Sequence, residues 1–322
     1  MRVAATLGRG LSTRLLRPFT RNSFAGNHFA GSAGDKEASW QLGLPASPSE
    51  LDAILIFGGD GTVHRHLAQL VKLQLPVLVV PCGSGNDFAR ALTLRRISDA
   101  IEAWRRFCSH HDNVRQIDLG VISHSPQRDA VAGISTSSLS AEPHSQYFCC
   151  VGGVGLDAEI ARRANRLPRW IRRHGGYPLS LLPALARFEP LAVIVQASQS
   201  DRLGALATRH PGPAIVVAFA NAPAYGGGIK IAPHAQLEDG KLDICVVGNM
   251  SKARLLRLFP SVYSGRHLGI PEVEYFQAER LRLETEWPTD VYADGEYVCR
   301  TPVDVSVQRA ALRVIVPLAQ AK

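Results

Sequence analysis

The sequence predicts an α/β domain followed by an antiparallel β domain, and two observations support this. Two buried-strand runs, residues 53–57 and 77–80, each lead into a glycine-rich turn and then a segment with apolar residues at helical spacing. After residue 120 the pattern changes to short alternating runs separated by Gly and Asp-Gly pairs, which is typical of antiparallel hairpins. With 322 residues, the chain is long enough for one large or two medium domains.

We predict four segments along the chain. They are an irregular basic segment at 1–45, an α/β domain at 46–118, a β domain at 119–300, and terminal strands at 301–322. The alternative interpretation of the first segment is a truncated first strand–helix unit. Its first 34 residues carry arginine but no acidic residue, as in a mitochondrial transit peptide. An irregular bacterial amino terminus is the interpretation that we prefer.

The bulk composition is that of an ordinary globular chain, with 46% hydrophobic and 20% charged residues. The net charge of +8 is compatible with an anionic ligand or an acidic membrane surface. No nucleic-acid recognition motif accompanies that charge, so we expect no nucleic-acid partner. The six cysteines lack CxxC or zinc spacing, which favours free thiols in the reducing cytoplasm. No uninterrupted apolar run is long enough to predict a transmembrane segment.

The two glycine-rich turns are the strongest local signals in the chain. The first is Gly58-Gly59-Asp60-Gly61-Thr62, and the second is Pro81-Cys82-Gly83-Ser84-Gly85-Asn86-Asp87. Glycine lets the backbone approach a ligand closely, and the helix that follows offers free N–H groups and a partial positive charge to a phosphate. Turns on neighbouring parallel strands lie side by side at the carboxyl ends of the strands, where ligands bind in open α/β sheets.

Neither turn is a standard phosphate motif by its spacing. There is no Gly-Lys-Ser/Thr, which excludes a P-loop, and Phe88 stands where a dinucleotide fingerprint requires a small residue. A single turn of this kind is usually structural. The pair, with an aspartate in each turn, favours a nucleotide site.

Together, the two motifs resemble those of the diacylglycerol kinase catalytic domain family of lipid kinases. That family includes bacterial soluble diacylglycerol kinases and is related to sphingosine and ceramide kinases. The likeness rests on the first turn together with Pro81-x-Gly-Ser-Gly-Asn86-Asp87-Phe88-Ala89-Arg90, and it extends over residues 52–317. The first motif alone is shared with NAD kinases, whereas the pair is specific.

The resemblance implies a fold and an activity. The fold would be a nucleotide domain like that of NAD kinase and phosphofructokinase, followed by a β-sandwich domain for the lipid, with terminal strands that return to the first domain. The activity would be transfer of the γ-phosphate of ATP, with Mg²⁺, to a lipid alcohol at a membrane surface, with diacylglycerol as the first candidate. NAD kinase and an inactive lipid- or nucleotide-binding homologue are the alternatives. A homodimer is left open.

The resemblance also assigns nucleotide contacts to both turns. Asp60 cannot face phosphates without a cation between them, so we place it at the catalytic Mg²⁺; capping of a helix is the structural alternative. The implied ATP contacts are Gly58, Gly59, Asp60, Gly61, Thr62, Val63, His64, Arg65, Gly83, Ser84, Gly85, Asn86 and Asp87.

Two acidic residues are implied to act on the acceptor. Glu296 follows Asp294-Gly295 and stands where relatives place their proposed proton acceptor, although Asp-Gly by itself is usually only a hairpin turn. Asp157 lies in Gly155-Leu156-Asp157-Ala158, which resembles the Gly-Phe-Asp-Ala element near the lipid in relatives.

A second, structural Mg²⁺ site is implied at an Asp-Gly turn later in the chain. In relatives this site uses the aspartate with nearby backbone carbonyls, which correspond here to Asp239 with Gln236 and Lys241. Oxygen ligands suit a hard cation. A plain turn is the alternative.

The chain departs from the family in two places. Relatives continue the first turn with x-Asn-Glu, whereas this chain has Val63-His64-Arg65, which places a basic residue beside the implied phosphates. Since His64 and His66 are spaced i, i+2, they do not share a helix face, and we expect both at the surface. The nearest match to the amino-terminal Asn-Pro-x-x-Gly loop of relatives is Asn22-Ser23-Phe24-Ala25-Gly26, without the proline.

A basic stretch, residues 162–177, carries six arginines with Trp170 and Tyr177. A solvated charged face is the ordinary interpretation of such a stretch. Docking on anionic lipid headgroups is the alternative, because arginine with interfacial aromatic residues suits that layer.

Overall fold

The computed structural model describes residues 1–21, 39–48, 51–124, 144–166, 176–198 and 206–318. Within these residues, fifteen strands form one continuous sheet. The strands are β1 Arg2–Leu7, β2 Ser39–Leu42, β3 Ala53–Gly58, β4 Val77–Pro81, β5 Val114–His124, β6 His144–Phe148, β7 Val151–Gly155, β8 Leu191–Ser198, β9 Leu206–Ala220, β10 Leu242–Gly248, β11 Val273–Ala278, β12 Arg280–Thr285, β13 Asp290–Ala293, β14 Glu296–Arg300 and β15 Val303–Ile315. The α-helices are α1 Arg17–Arg21, α2 Asp60–Leu73, α3 Asp87–Ala91, α4 Ile97–His110, α5 Leu156–Arg166, α6 Gly176–Arg187 and α7 Lys252–Leu258.

The first part of the chain is a parallel α/β unit. Strands β2, β1, β3 and β4 lie side by side and run parallel. Every residue of β3 and β4 is buried, as expected for parallel strands that are covered on both faces. Helix α2 packs against β3 through Val63, Leu67 and Leu70, which recur at helical spacing and are buried.

The amino-terminal segment differs from the prediction. The preferred interpretation of 1–45 is an irregular segment, yet β1 pairs with β3 and its Val3, Ala4 and Ala5 are fully buried, as the alternative of a truncated first strand–helix unit expects. Helix α1 adds Phe19, whose ring lies 5.1 Å from that of Phe57. The run in β1 is short, rich in alanine and next to an arginine, so its strand character depends on the neighbouring β3. The Asn22–Gly26 loop lies outside the described residues.

The second part is built from antiparallel strands. Strands β7, β9, β8 and β12 are neighbours, and β10 lies between β9 and β11. A separate apolar core forms here, in which the rings of Phe148 and Phe219 lie 5.5 Å apart. The predicted fold class, an α/β nucleotide-type domain followed by a β-rich domain, is confirmed.

Strand β15 connects the two parts. It runs antiparallel to β12 and β5 over most of its length, and near its end Val314 pairs in parallel with Val77 of β4. The last strand therefore joins the parallel and antiparallel regions into one sheet. None of the described helices is both long and apolar enough to cross a bilayer.

Candidate active site

The two glycine-rich turns meet directly. Strands β3 and β4 are parallel neighbours with Gly58 opposite Pro81, so both turns leave the sheet at the same edge. A Cβ atom on Gly59 would lie 2.9 Å from the Cα of Gly83, and a Cβ on Gly83 would collide with the backbone of Gly59. Only glycine at both positions allows this close approach, which leaves the backbone N–H groups of the two turns side by side.

The second turn is closed by Asn86. Its side chain accepts a hydrogen bond from Gly83 N at 2.8 Å and donates one to Gly83 O at 2.9 Å. Asn86 itself has a left-handed backbone with a φ of 57°. Its amide therefore shapes the turn, while Ser84 is left exposed at the tip.

Asp60 links the two turns through its carboxylate. It accepts hydrogen bonds from the backbone N–H groups of Asp87 at 3.1 Å and Phe88 at 3.0 Å, which belong to the start of α3. Asp60 thus caps the second helix rather than its own. Burial, together with the charge of Asp87, raises the pKa of Asp60 from 3.8 to about 6. Burial and the neighbouring Asp87 charge therefore disfavour the ionised form of Asp60, and a bound cation would favour it.

Asp87 holds the second turn against a loop of the β domain. One carboxylate oxygen accepts a hydrogen bond from Arg90 Nη2 at 2.5 Å, and the other accepts one from Gly227 N at 2.8 Å. Asp87 is buried, at 5% exposure. Its side chain acts as a structural link between the two domains at the edge of the cleft.

Glu296 reaches the first turn from the other side. It is the first residue of β14 and follows Asp294 and Gly295, which have φ angles of 51° and 82° in the hairpin turn. A Cβ on Gly61 would lie 2.7 Å from Glu296 Oε1. The exposed carboxylate of Glu296 therefore sits against the beginning of α2.

These groups line a single cleft of about 1080 Å³ between the two domains. It contains most of the residues that the sequence predicts for the site. They are Gly59, Asp60, Gly61, Thr62, Arg65, Gly83, Ser84, Gly85, Asp87, Asp157 and Glu296. Gly58, Val63, His64 and Asn86 do not line it, and Val63 is instead buried under α2.

The cleft also contains residues that sequence reasoning missed. Arg9, Gly10 and Leu11 line it where the chain leaves β1. The local signal was a Gly-x-Gly directly after a short apolar run, the same arrangement as in the first predicted turn. Arg9 and Arg65 bring positive charge to a cleft that otherwise carries several carboxylates.

Asp157 forms a buried pair with a second missed residue, Tyr225. The Tyr225 hydroxyl donates a hydrogen bond of 2.6 Å to Asp157 Oδ1. Burial raises the pKa of Asp157 to about 7, although the hydrogen bond from Tyr225 opposes the shift. Tyr225 precedes Gly226 and Gly227, so one loop contacts both Asp157 and Asp87.

The expectation that His64 lies at the surface is wrong. Its side chain is only 11% exposed, and His64 Nδ1 lies 3.0 Å from Asp294 Oδ2. Asp294 is fully buried and also accepts hydrogen bonds of 2.8 Å from the backbone N–H groups of Cys149 and Cys150. The i, i+2 spacing correctly separates His64 from His66, but it does not indicate that the β domain covers one of the two.

The residues implied for a structural Mg²⁺ site lie elsewhere. Asp239 accepts a hydrogen bond from Lys241 N at 3.0 Å within an Asp-Gly turn, and Gln277 Nε2 donates to it at 3.3 Å. Asp239, Gln236 and Lys241 do not line the cleft. In the described part of the chain, the one group of three close His, Cys, Asp or Glu ligand atoms is Cys149, Cys150 and Asp294. The structural Mg²⁺ site stays a prediction.

Two of the three arginines of the basic stretch that fall on α5 make ion pairs within the helix. Arg162 and Arg163 contact Glu159 at 2.7 Å and 2.6 Å. This arrangement accords with a solvated charged face for that part of the stretch. Residues 167–175, with Trp170, lie outside the described residues.

The fold and the cleft combine a glycine-rich α/β domain with a β-rich domain, and the comparisons place this architecture among the phosphotransferases. Family models agree over most of the chain. The diacylglycerol kinase catalytic domain matches residues 31–122, and the YegS C-terminal NAD kinase beta sandwich-like domain matches residues 151–316.

Several known proteins are similar to this chain in sequence or in fold. A diacylglycerol kinase from Mycobacterium tuberculosis strain CDC 1551 is 31% identical over 290 residues, covering 88% of this chain and 83% of that protein. A diacylglycerol kinase from Bacillus subtilis strain 168 is 24% identical over 279 residues, covering 86% and 82%. A crystal structure of a diacylglycerol kinase from Bacillus anthracis str. Sterne shares the fold with a TM-score of 0.64, at 17% identity and 99% and 98% coverage. The chain belongs to the diacylglycerol kinase catalytic domain family and is a lipid kinase with an alcohol acceptor.

Proposed function

We propose that the protein is an ATP- and Mg²⁺-dependent diacylglycerol kinase that forms phosphatidic acid at the cytoplasmic membrane surface. The observation that carries the proposal is the approach of Glu296 Oε1 to Gly61 across the cleft. This approach brings a carboxylate of the β domain to the beginning of α2, where phosphates would bind.

The first wall of the cleft would bind the triphosphate of ATP. Among the described residues, the N–H groups of Thr62 and Val63 donate to Gly59 O, whereas those of Asp60 and Gly61 make no backbone hydrogen bond and would donate to phosphate. The helix dipole also favours negative charge at this end of α2. Arg9 and Arg65 line the same cleft and would neutralise further phosphate charge. Phosphoryl transfer depends mainly on such positioning and charge neutralisation.

Asp60 would hold the metal ion. Its two oxygens accept backbone hydrogen bonds on one side, and its raised pKa of about 6 reflects burial beside another carboxylate. Mg²⁺ prefers a few carboxylate and phosphate oxygens, which is the donor set available here. When bound, Mg²⁺ would neutralise charge on the phosphate oxygens.

Glu296 would act on the acceptor lipid. Its carboxylate would take the proton from the primary hydroxyl of diacylglycerol as that oxygen forms a bond to the γ-phosphorus. The bond between the γ-phosphorus and its bridging oxygen breaks, and ADP leaves with that electron pair. Asp157 and Tyr225 lie in the same cleft and would contact the glycerol region of the lipid.

Exposed aromatic side chains, one of them beside the cleft, support peripheral membrane contact. Tyr297, at 52% exposure, follows Glu296, and its ring lies 5.8 Å from that of Tyr292 in the cleft wall. Trp287 is 74% exposed. Tyrosine and tryptophan suit the interface between water and lipid headgroups.

Radiolabelled ATP offered with a panel of acceptors would test the proposed function. Mixed vesicles would carry diacylglycerol, sphingosine or ceramide, and NAD would be offered separately. We expect label in phosphatidic acid, dependent on Mg²⁺. Label in NAD alone would contradict a lipid kinase, label in another lipid would change the substrate, and ATP binding without turnover would favour an inactive homologue.

A further inference from the structure

We propose that His64 is a positioning residue for the reaction, because it ties the turn that carries Glu296 to helix α2. The inference rests on the proposed role of Glu296 as proton acceptor. It assigns a function to the position at which this chain replaces the asparagine of its relatives.

The turn is held mainly through Asp294. Its Oδ1 accepts a hydrogen bond from Cys150 N, and its Oδ2 accepts one from Cys149 N, both at 2.8 Å. These two donors belong to the β domain, like the turn itself. His64 Nδ1, at 3.0 Å from Oδ2, comes from α2. His64 is therefore the partner that links Asp294 to the helix bearing the first glycine turn.

Glu296 depends on this link for its place in the cleft. In the described part of the chain, no hydrogen bond or ion pair holds the Glu296 carboxylate directly. Its position follows from Asp294 and from Gly295, whose carbonyl accepts a hydrogen bond of 2.7 Å from Asn165 Nδ2. Asn165 belongs to the β domain as well, so among the hydrogen bonds described for this turn, the one from His64 is the one that reaches α2.

The charges of the pair strengthen this tie. Burial lowers the pKa of His64, but the hydrogen bond and the charge of Asp294 outweigh it, so the pKa is raised above 6.5. Glu296 also favours the charged imidazole, whereas Arg65 disfavours it. Burial raises the pKa of Asp294, but His64 and the two backbone donors lower it further. The contact therefore favours the charged imidazolium–carboxylate form of the two groups, and both side chains are largely shielded from water.

The charged form should hold the turn more firmly than the neutral form. A neutral imidazole can still donate one hydrogen bond from Nδ1, so the tie weakens rather than breaks when His64 loses its proton. A displacement of about 1 Å of a catalytic group can lower the rate by about 100-fold. We therefore expect kcat to decline on the alkaline side of the pH profile, as His64 loses its proton.

Three variants test the proposal on the full-length protein, with diacylglycerol vesicles and ATP. His64→Ala should lower kcat by about 10- to 100-fold, with the KM for ATP changed less than about 3-fold. His64→Asn should recover most of kcat, because its amide can donate to Asp294, but it should abolish the alkaline decline. His66→Asn is the matched control on the same helix and should behave like the wild type.

A second measurement does not depend on activity. The histidine ring protons would be followed by NMR against pH in the wild type and in Asp294→Asn. We expect the pKa of His64 to fall in the variant, because the carboxylate charge is lost. An unchanged His64 pKa would show that the charge of Asp294 does not act on His64. This measurement does not require His64→Ala to fold.

The outcomes separate this inference from the proposed function. Wild-type kcat in His64→Ala together with an inactive Glu296→Gln would overturn positioning and leave the lipid kinase mechanism intact. Equal losses in His64→Ala and His64→Asn with an unchanged pH profile would mean that His64 is only structural. Full activity in Glu296→Gln would remove the role of Glu296 and the positioning role with it.

Discussion

The two walls of the cleft are built in different ways. The wall of the nucleotide domain is made by backbone, with Gly59 and Gly83 in direct contact at the ends of neighbouring strands. The opposite wall is made by side chains, since Glu296 depends on a contact between His64 and Asp294, which are 230 positions apart. A local motif therefore identifies the first wall, whereas the second wall exists only after folding. The predictions that follow test each wall separately.

Removal of the carboxylate from the side-chain wall should have the largest effect. Glu296→Gln keeps the shape but cannot take a proton, so we expect kcat to fall by about 100- to 10,000-fold. The KM for ATP should change little, because the glycine wall is untouched. Steady-state kinetics would measure both. Glu102→Gln, on an exposed position of α4, is the matched control, and an unchanged kcat in Glu296→Gln would contradict the assigned role.

A side-chain atom introduced between the two glycine-rich turns should disrupt the backbone wall of the cleft. In Gly83→Ala the new Cβ would collide with the backbone of Gly59, which a rotamer change cannot relieve. We expect the affinity for ATP to fall by about 100-fold, as measured by calorimetry, because misplaced N–H groups lose their phosphate contacts. Gly269→Ala is the control, since a Cβ there meets no atom within 4 Å. Equal ATP affinity in both variants would mean that the turns do not cradle the phosphates.

Asp60→Asn should change how stability depends on pH. The pKa of Asp60 is about 6 in the folded protein, against 3.8 ordinarily, because of burial and then the Asp87 charge. The stability contributed by protonated Asp60 is therefore complete below pH 3.8 and is lost as the pH rises through about 6. Relative to the variant, the unfolding free energy of the wild type should fall by up to about 3 kcal/mol over that interval. Urea denaturation at several pH values would measure it.

Addition of Mg²⁺ tests the proposed role of Asp60 as a metal ligand. At pH 7.5, Mg²⁺ should raise the melting temperature of the wild type, because a ligand that binds the folded state stabilises it. The same addition should do little for Asp60→Asn. Equal shifts in both proteins would show that the ion binds elsewhere, for instance at Asp239.

The smallest expected effect concerns the buried Tyr225–Asp157 pair within the β-domain wall. Tyr225→Phe removes the hydrogen bond to Asp157, so we expect a loss of about 1 kcal/mol in unfolding free energy. The pKa of Asp157 should rise above about 7, because the lost hydrogen bond had lowered it. Thermal unfolding against pH would follow both changes. Tyr297→Phe, at an exposed position, is the control, and equal stability of the two variants would contradict a structural role for the pair.

Local signals were enough to predict strands β3 and β4 and the two glycine-rich turns. The runs in β3 and β4 are continuously apolar, and the glycines follow directly, so the fold class and the first wall could be predicted from the sequence. The family resemblance added Glu296, which an Asp-Gly turn alone would not single out. Strand β1 was missed because its short alanine-rich run becomes a strand only through pairing with β3.

Contacts between distant parts of the chain could not be predicted. His64 looks like a surface histidine in a helical pattern, since the pattern does not show that the β13–β14 turn covers it. Tyr225 stands in a glycine-rich loop, and its partner Asp157 lies on a different element. Val63 was assigned to the ligand because of its place in the motif, although its apolar side chain serves the core.

Strand β15 has a consequence for any shortened form of the chain. Its end lies beside β4, while its beginning lies between β12 and β5. Cutting the chain after Pro302 would remove the neighbour on one side of β4 and leave that edge of the parallel strands open, while β4 would stay paired with β3. An open strand edge recruits other chains. Shortened chains that lack β15 should therefore associate and precipitate rather than yield an isolated nucleotide-binding half.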